Sequence, residues 1–253
     1  MDYCVVIFLP IITFIITLAY HASFLFSTIS FFLIPTVYLV YRRRAMLKKI
    51  LVTALVSVPF GLIIDYFAMR DGAWYDSSLF SFRFLNGIPL EDPLWFAAWL
   101  SYVVAFYEYF IDRPGKGESD RINPKANMLV GGWFLILTLF AVAYAFFGTR
   151  LHIPYFYAFF GIVLGIVPLV GVLSRYPKLI QKCGLTLAYF FPVHILHELS
   201  ALATEQWVYP GNNFFGWVQF MQFRLPLEEL LFWIISGSIF AVVWYEYFVD
   251  DTK

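Results

Sequence analysis

Pro226-Leu227-Glu228-Glu229 opens an apolar run that closes on Tyr245-Glu246-Tyr247-Phe248, and Pro89-Leu90-Glu91-Asp92 opens another that closes on Tyr107-Glu108-Tyr109-Phe110. Each run is one membrane thick, since about 20 residues at about 1.5 Å per residue cross a hydrocarbon core of about 30 Å. Proline suits the first turn of a helix, where its missing N–H costs nothing, and acids just behind it complement the helix dipole. Two copies of one helix thus cross an apolar medium, each with a pair of carboxyls at its start. That reading sets the fold class: an all-α polytopic membrane protein.

Composition agrees. Of 253 residues, 61% are hydrophobic and 22% aromatic while 13% are charged, more apolar surface than a soluble domain needs. Lys plus Arg equals Asp plus Glu at 17 each, and no basic stripe runs outside short loops, so nucleic acid is not an expected partner. Cys4 and Cys183 have no metal-ligand spacing and read as small buried hydrophobes. The N-terminus has Asp2 and no basic cluster, and reads as a retained first span.

Eight stretches have spanning length and apolarity: 3–20, 24–41, 50–69, 89–111, 128–147, 154–173, 185–202 and 226–249. His21-Ala22-Ser23 is a very short turn between the first two, so a re-entrant hairpin is an alternative there. Arg42 to Lys49, Arg113 to Lys125, Arg175 to Lys182 and Lys253 fall on one side of this arrangement. Arg70, Arg83, Arg150 and Arg224 fall on the other. The positive-inside bias predicts a cell-membrane protein with both termini cytoplasmic and both acid-proline starts facing the opposite side.

The second half repeats the first. Adding 133 to Arg42, Lys49, Thr53, Pro59, Ala68 and Trp74 gives Arg175, Lys182, Thr186, Pro192, Ala201 and Trp207, and Asp65 maps to Glu198. The frame slips by four at the acid-proline motif, which puts the length change in the preceding loop. The expected layout is two parallel four-helix repeats, 1–112 and 127–253, joined by a cytoplasmic linker at 113–126. Ahead of each acid-proline motif lies an aromatic loop, with Phe80, Phe82 and Phe84 in one and Phe214, Phe215, Trp217, Phe220 and Phe223 in the other. Alternation of the first three predicts a short extended or hairpin segment with one apolar face, either an interfacial anchor or a lid on a lipophilic cavity between the repeats.

The chemical candidates are the acids. Glu91, Asp92, Glu228 and Glu229 have a plain reading as first-turn helix acids. They also recur in both halves, with Asp65 and Glu198 on the same membrane side, and carboxyls gathered in a low-dielectric place cannot all ionise. A protonated carboxyl facing an apolar cavity is a general acid for a substrate without polar handles. Glu108 and Glu246 lie near the opposite interface and read as partners of loop Arg or Lys. His194, His197 and Glu198 share one helix face, but four histidines in the whole chain argue against a metal centre, and polar contacts to the acids are expected instead. No Gly-rich dinucleotide fingerprint and no P-loop occurs, so no cofactor is expected. No lysine falls inside a predicted span, which argues against a retinal Schiff base. Gly161-x-x-x-Gly165 reads as a close helix contact.

Taken in order, Asp65-x8-Trp74 with Gly72-Ala73-Trp74, Pro89-Leu90-Glu91-Asp92 and Tyr107-Glu108, then Glu198-x8-Trp207, Pro226-Leu227-Glu228-Glu229 and Tyr245-Glu246, the chain resembles the integral-membrane lycopene cyclase domain. Asp92 stands where that family has a second Glu, Glu205 stands in place of the glycine, and Glu198 in place of Asp. The resemblance implies carotenoid biosynthesis: a lycopene β-cyclase-like isomerase (intramolecular lyase) that closes an acyclic end group into a β-ionone ring. The chemistry is acid–base, redox-neutral and passes through a carbocation. On that implication Glu91 and Glu228 are the primary acids, Asp92 and Glu229 their partners, and Asp65 and Glu198 orient them. Trp74 and Trp207 are candidate cation stabilisers, and Phe82 and Trp217 candidate substrate contacts. The implied partners are a lipophilic carotenoid and the lipid bilayer, with other carotenoid-pathway enzymes or a second copy of the chain left open. A carotenoid hydratase, a non-catalytic isoprenoid- or pigment-binding protein and a transporter are the rival readings.

Overall fold

The computed structural model describes residues 2–85, 87–112 and 122–250. Of the linker expected at 113–126, residues 113–121 lie outside the described residues. The chain is mostly helical, and seven helices are long and apolar enough to cross a membrane: α1 (Asp2–Tyr20), α2 (Phe24–Arg42), α3 (Arg44–Asp71), α4 (Glu91–Ile111), α5 (Lys125–Phe147), α6 (Phe156–Arg175) and α7 (Leu179–Ala203). The last, α8, is a pair, Glu229–Ile235 and Gly237–Phe248, bent by 55°. Its first part is π-helical and ends at Ser236 (φ −105°), where the i→i−4 ladder is interrupted. The turn at His21 to Ser23 separates two full helices, and Ser23 caps the second by accepting from the Phe26 N–H at 3.3 Å.

Two of these helices start six residues before their apolar runs. α3 begins at Arg44, not residue 50, and α7 at Leu179, not residue 185, so Lys49 and Lys182 lie inside helices after all. Lys49 is 1% exposed. A charge is tolerated there because carboxylates meet it: its ammonium donates to Glu108 Oε1 (3.0 Å) and Asp250 Oδ1 (2.7 Å).

Local geometry recurs between the halves at the offset seen in the sequence. π-Helical turns occupy Ile29–Leu33 in α2 and Gly161–Ile166 in α6. Pro59 and Pro192 sit inside α3 and α7. The chain leaves α3 through left-handed Gly72 (φ 73°) and leaves α7 through Glu205, also left-handed at φ 54°. The glycine missing from the second half is therefore missing from the sequence but not from the backbone. A side chain in that conformation costs about 1–2 kcal/mol relative to glycine.

Six short strands gather at the end of the molecule where α4 and α8 begin. β1 (Tyr75–Asp76) pairs antiparallel with β4 (Trp207–Val208), which ties the two halves together. β2 (Arg83–Phe84) pairs with β3 (Ile88–Pro89), and β5 (Trp217–Phe220) with β6 (Phe223–Pro226), so both aromatic loops form hairpins. Between the helices the packing is aromatic against small residue. Gly61 lies under the Phe96 ring, Gly161 under Phe232 and Gly165 under Phe240, close approaches that any β-carbon would block.

Candidate active site

A cavity of ≈ 200 Å³ runs between α3, α4, α5, α6 and α8. Most of its wall is apolar, including Phe60, Phe96, Trp133, Phe160, Leu164 and Phe240, but one end carries four carboxyls: Asp65, Asp76, Asp92 and Glu229. All four are 5% exposed or less. Trp74, Trp95, Trp99, Trp207, Trp233, Tyr157 and Tyr209 surround them.

The acids are held in matched ways. Trp74 Nε1–H donates to Asp65 Oδ1 (3.1 Å), and nine residues after its own acid Trp207 Nε1–H donates to Glu198 Oε1 (3.2 Å). Asp76 and Asp92 stand within hydrogen-bonding reach of each other, as do Glu198 and Glu229. The surroundings of the two pairs differ. Tyr157 O–H donates to Glu229 Oε2 (2.7 Å), and the Tyr209 O–H, between Glu198 and Glu229, donates to Glu198 Oε1 (2.8 Å). Burial, with the nearby Glu198 and Glu229, pushes the Tyr209 phenol well above its ordinary value, so it stays a donor. Among the described residues no donor other than the Asp76 carboxyl reaches either oxygen of Asp92.

Within each acid-proline motif the two carboxyls part company. Glu91 turns to the loop, where Oε1 accepts from the Leu79 N–H (2.8 Å) and Oε2 from the Ser78 hydroxyl (2.8 Å). Glu228 does the same through Oε1, which accepts from the Phe215 N–H (2.6 Å). The second acids, Asp92 and Glu229, face the cavity. Neighbours on a helix are about 100° apart, so one can tie down the loop while the other lines the site. Neither Glu91 nor Glu228 lines the cavity, which places the expected primary acids in loop anchoring. Glu198 stands one step behind the wall, touching Glu229 and Trp207.

Phe82 and Trp217 do not contact the cavity. Phe82 is 57% exposed on the outer side of its hairpin and packs against Phe84, while Trp217 lies between Phe214 (5.0 Å) and the Arg224 guanidinium (4.4 Å). In the second hairpin Phe214 is buried in the core and Trp217 and Phe220 pack against it, while Glu91 and Glu228 tie down the loops just ahead of the hairpins. Asp76, Tyr157, Tyr209, Trp95, Trp99 and Trp233 are site residues that sequence reasoning passed over. One signal for two of them existed, because Asp76 plus 133 is Tyr209.

The tryptophans form one wall. Trp95 and Trp99 stack at 5.7 Å, Trp233 meets them at 4.8 and 4.5 Å, and Trp74 meets Tyr157 edge-on at 5.1 Å. His194 is engaged through both ring nitrogens, accepting from Trp99 Nε1–H at 3.1 Å and lying 3.2 Å from the Ile234 carbonyl, so it has no atom to offer a metal. At the far end of the helices Glu108, Asp112 and Asp250 have carboxylate geometry that can hold a cation, but ammonium groups already occupy it: Lys49 as above, and Lys182 on Asp112 at 2.5 Å. Glu108 and Glu246 are thus ion-pair residues, each also accepting a hydrogen bond from a tyrosine of the other half, Tyr245 and Tyr107. What remains is a tryptophan-walled, largely apolar pocket with four carboxyls on its lining. Comparison with protein-family models, with curated proteins and with solved structures finds no match to this chain.

Proposed function

We propose that this protein is a carotenoid end-group cyclase of eight membrane spans in two parallel repeats, with both termini cytoplasmic. The observation that carries the reading is the meeting of acids from both halves, Asp65, Asp76 and Asp92 with Glu229, at the end of one apolar cavity beside stacked indoles. Asp92 is the proton donor, because among the described residues no hydrogen-bond donor reaches its carboxyl and another carboxyl, that of Asp76, stands beside it. Glu229 is the acceptor, because Tyr157 supports it with a donated hydrogen bond and Tyr209 stands beside it. Protonation of the terminal double bond of the polyene gives a tertiary cation. The neighbouring alkene attacks it to close the six-membered ring, and loss of a ring proton to Glu229 restores neutrality. Substrate and product are isomers, so no redox partner enters. The faces of Trp95, Trp99 and Trp233 stabilise the cation, and the apolar walls keep water from quenching it. That dryness favours cyclisation over the hydratase reading.

The test is pigment analysis of lycopene-accumulating bacteria expressing the chain. Appearance of carotenes with one or two β-rings supports the reading. Hydroxylated acyclic products would move it to a hydratase, and unchanged lycopene beside well-inserted protein would sink it.

A pH dependence follows from Asp76, which lies in the loop between α3 and α4. Burial raises its carboxyl from the ordinary 3.8 to about 7, with Glu229 and Glu91 adding to the rise and Asp92 and Arg83 opposing it. A raised value means that the folded protein keeps the proton up to about neutral pH and loses it above. Cyclisation by the purified protein in lipid vesicles should therefore decline as pH rises through about 7, and Asp76→Asn should move or flatten that limb. A rate that climbs across the same interval would contradict the assignment.

A further inference from the structure

The cavity has a counterpart by internal repetition, and that counterpart is filled. Cavity-lining residues of the open side map at the offset of 133 onto bulkier ones: Leu164 onto Phe31, Gly165 onto Phe32 and Ser57 onto Phe190. Gly61 and Ile64 of α3 map onto His194 and His197 of α7. All five of these counterparts are fully buried. They pack on one another, Phe32 against His197 at 4.7 Å, Phe31 against His197 at 5.0 Å and Phe190 against His194 at 5.6 Å, and they close the space between α2, α4 and α7. On the open side Gly161 and Gly165 are taken up by the rings of Phe232 and Phe240, and the room lies beside them, where Ser57 and Leu164 stand in place of Phe190 and Phe31. The acids follow the same asymmetry. Asp65 lines the open cavity, whereas Glu198, its counterpart at the same offset, sits behind the wall.

From this we infer that the duplicated chain holds a single end-group pocket, built jointly by both halves, so that it takes one polyene at a time and closes one end per binding event. The inference rests on the cyclase reading for the ring chemistry and on packing alone for the single pocket. A void of ≈ 200 Å³ suits one end group, with the rest of the polyene left in the lipid. A two-ring product then requires release of the one-ring carotene, reversal in the membrane and a second entry.

Two readouts on the full chain, purified with its pigment from lycopene-accumulating cells, test this. Extracted polyene per chain should be one, and Ser57→Phe, which copies Phe190 into the open side, should lower it at least about tenfold by filling the void. In vesicles with lycopene in excess, the one-ring carotene should appear first and pass through a maximum before the two-ring product rises. Two polyenes per chain, none at all, unchanged pigment in Ser57→Phe, or a two-ring product formed without a free one-ring species would each overturn the proposal. One polyene per chain with no ring closed at any time supports the single pocket and separately removes the cyclase reading. The wild-type stoichiometry does not depend on whether the variant folds.

Discussion

Asp92→Asn should abolish ring formation, lowering the rate by about 10²–10⁴-fold, the range a positioned general acid supplies. The amide fills the same space beside Asp76 and Trp95 but has no acidic proton to give to an alkene, so pigment should still bind while no ring closes. Glu91→Gln is the informative companion. Its position holds the loop through Leu79 N–H and Ser78, away from the cavity, and the amide oxygen can still accept from one of them. Ring formation should therefore survive in Glu91→Gln with some loss of stability, on the order of 1–3 kcal/mol for a buried acceptor left short of a partner. Measuring one- and two-ring carotenes per membrane-inserted chain in both variants decides between the two acids. If Glu91→Gln lost the products and Asp92→Asn kept them, the proton would come from the first acid of the motif and the orientation argued above would be wrong.

This pair of residues marks where the sequence stops being readable. Spans, hairpins and the relation between halves are written in quantities that survive without coordinates: apolar length, alternation and a constant offset. Asp65 with Trp74 and Glu198 with Trp207 belong to that class, since a spacing of nine recurs and both hydrogen bonds form. Which of two adjacent acids faces a cavity depends on the rotation of a helix about its axis, and an all-round apolar helix such as α4 carries no stripe from which to read it. Asp76 is invisible for another reason. It lies in an irregular loop, and its burial comes from pairing with the second half through β1 and β4, which nothing local announces. Phe82 and Trp217 misled because aromatics beside an acid motif look like a lid, whereas Phe82 stands at the surface and Trp217 packs on buried Phe214 away from the cavity. The lysines inside α3 and α7 were hidden because hydropathy counts a charge without its partners, and the partners of Lys49 stand 59 and 201 residues away.

Those partners set the second large effect, on stability. Lys49 is 1% exposed and bridges Glu108 of its own half and Asp250 of the other, while Lys182 bridges Glu246 (3.7 Å) of its own half and Asp112 (2.5 Å) of the first. Each lysine thus links the end of α4 to the end of α8, and Tyr107 and Tyr245 exchange hydrogen bonds to Glu246 and Glu108 between them. Lys49→Met keeps the length of the side chain and removes the charge, leaving Glu108 and Asp250 buried without their shared cation. Breaking a buried pair from one side costs about 3–5 kcal/mol, because the remaining charge has lost its partner and not regained water. Lys182 has a side chain 34% exposed, so water takes over part of its role and Lys182→Met should cost less. Unfolding of the detergent-solubilised protein, followed by loss of helix or of a monodisperse elution peak, should rank the variants in that order. Adding Glu108→Gln and Asp250→Asn to Lys49→Met should recover much of the loss, since the cost lies in carboxylates that have lost the ammonium they share. If Lys49→Met were as stable as the parent, or the triple variant no better than the single, the two halves would be held by apolar packing alone and the ion pairs would be incidental to it.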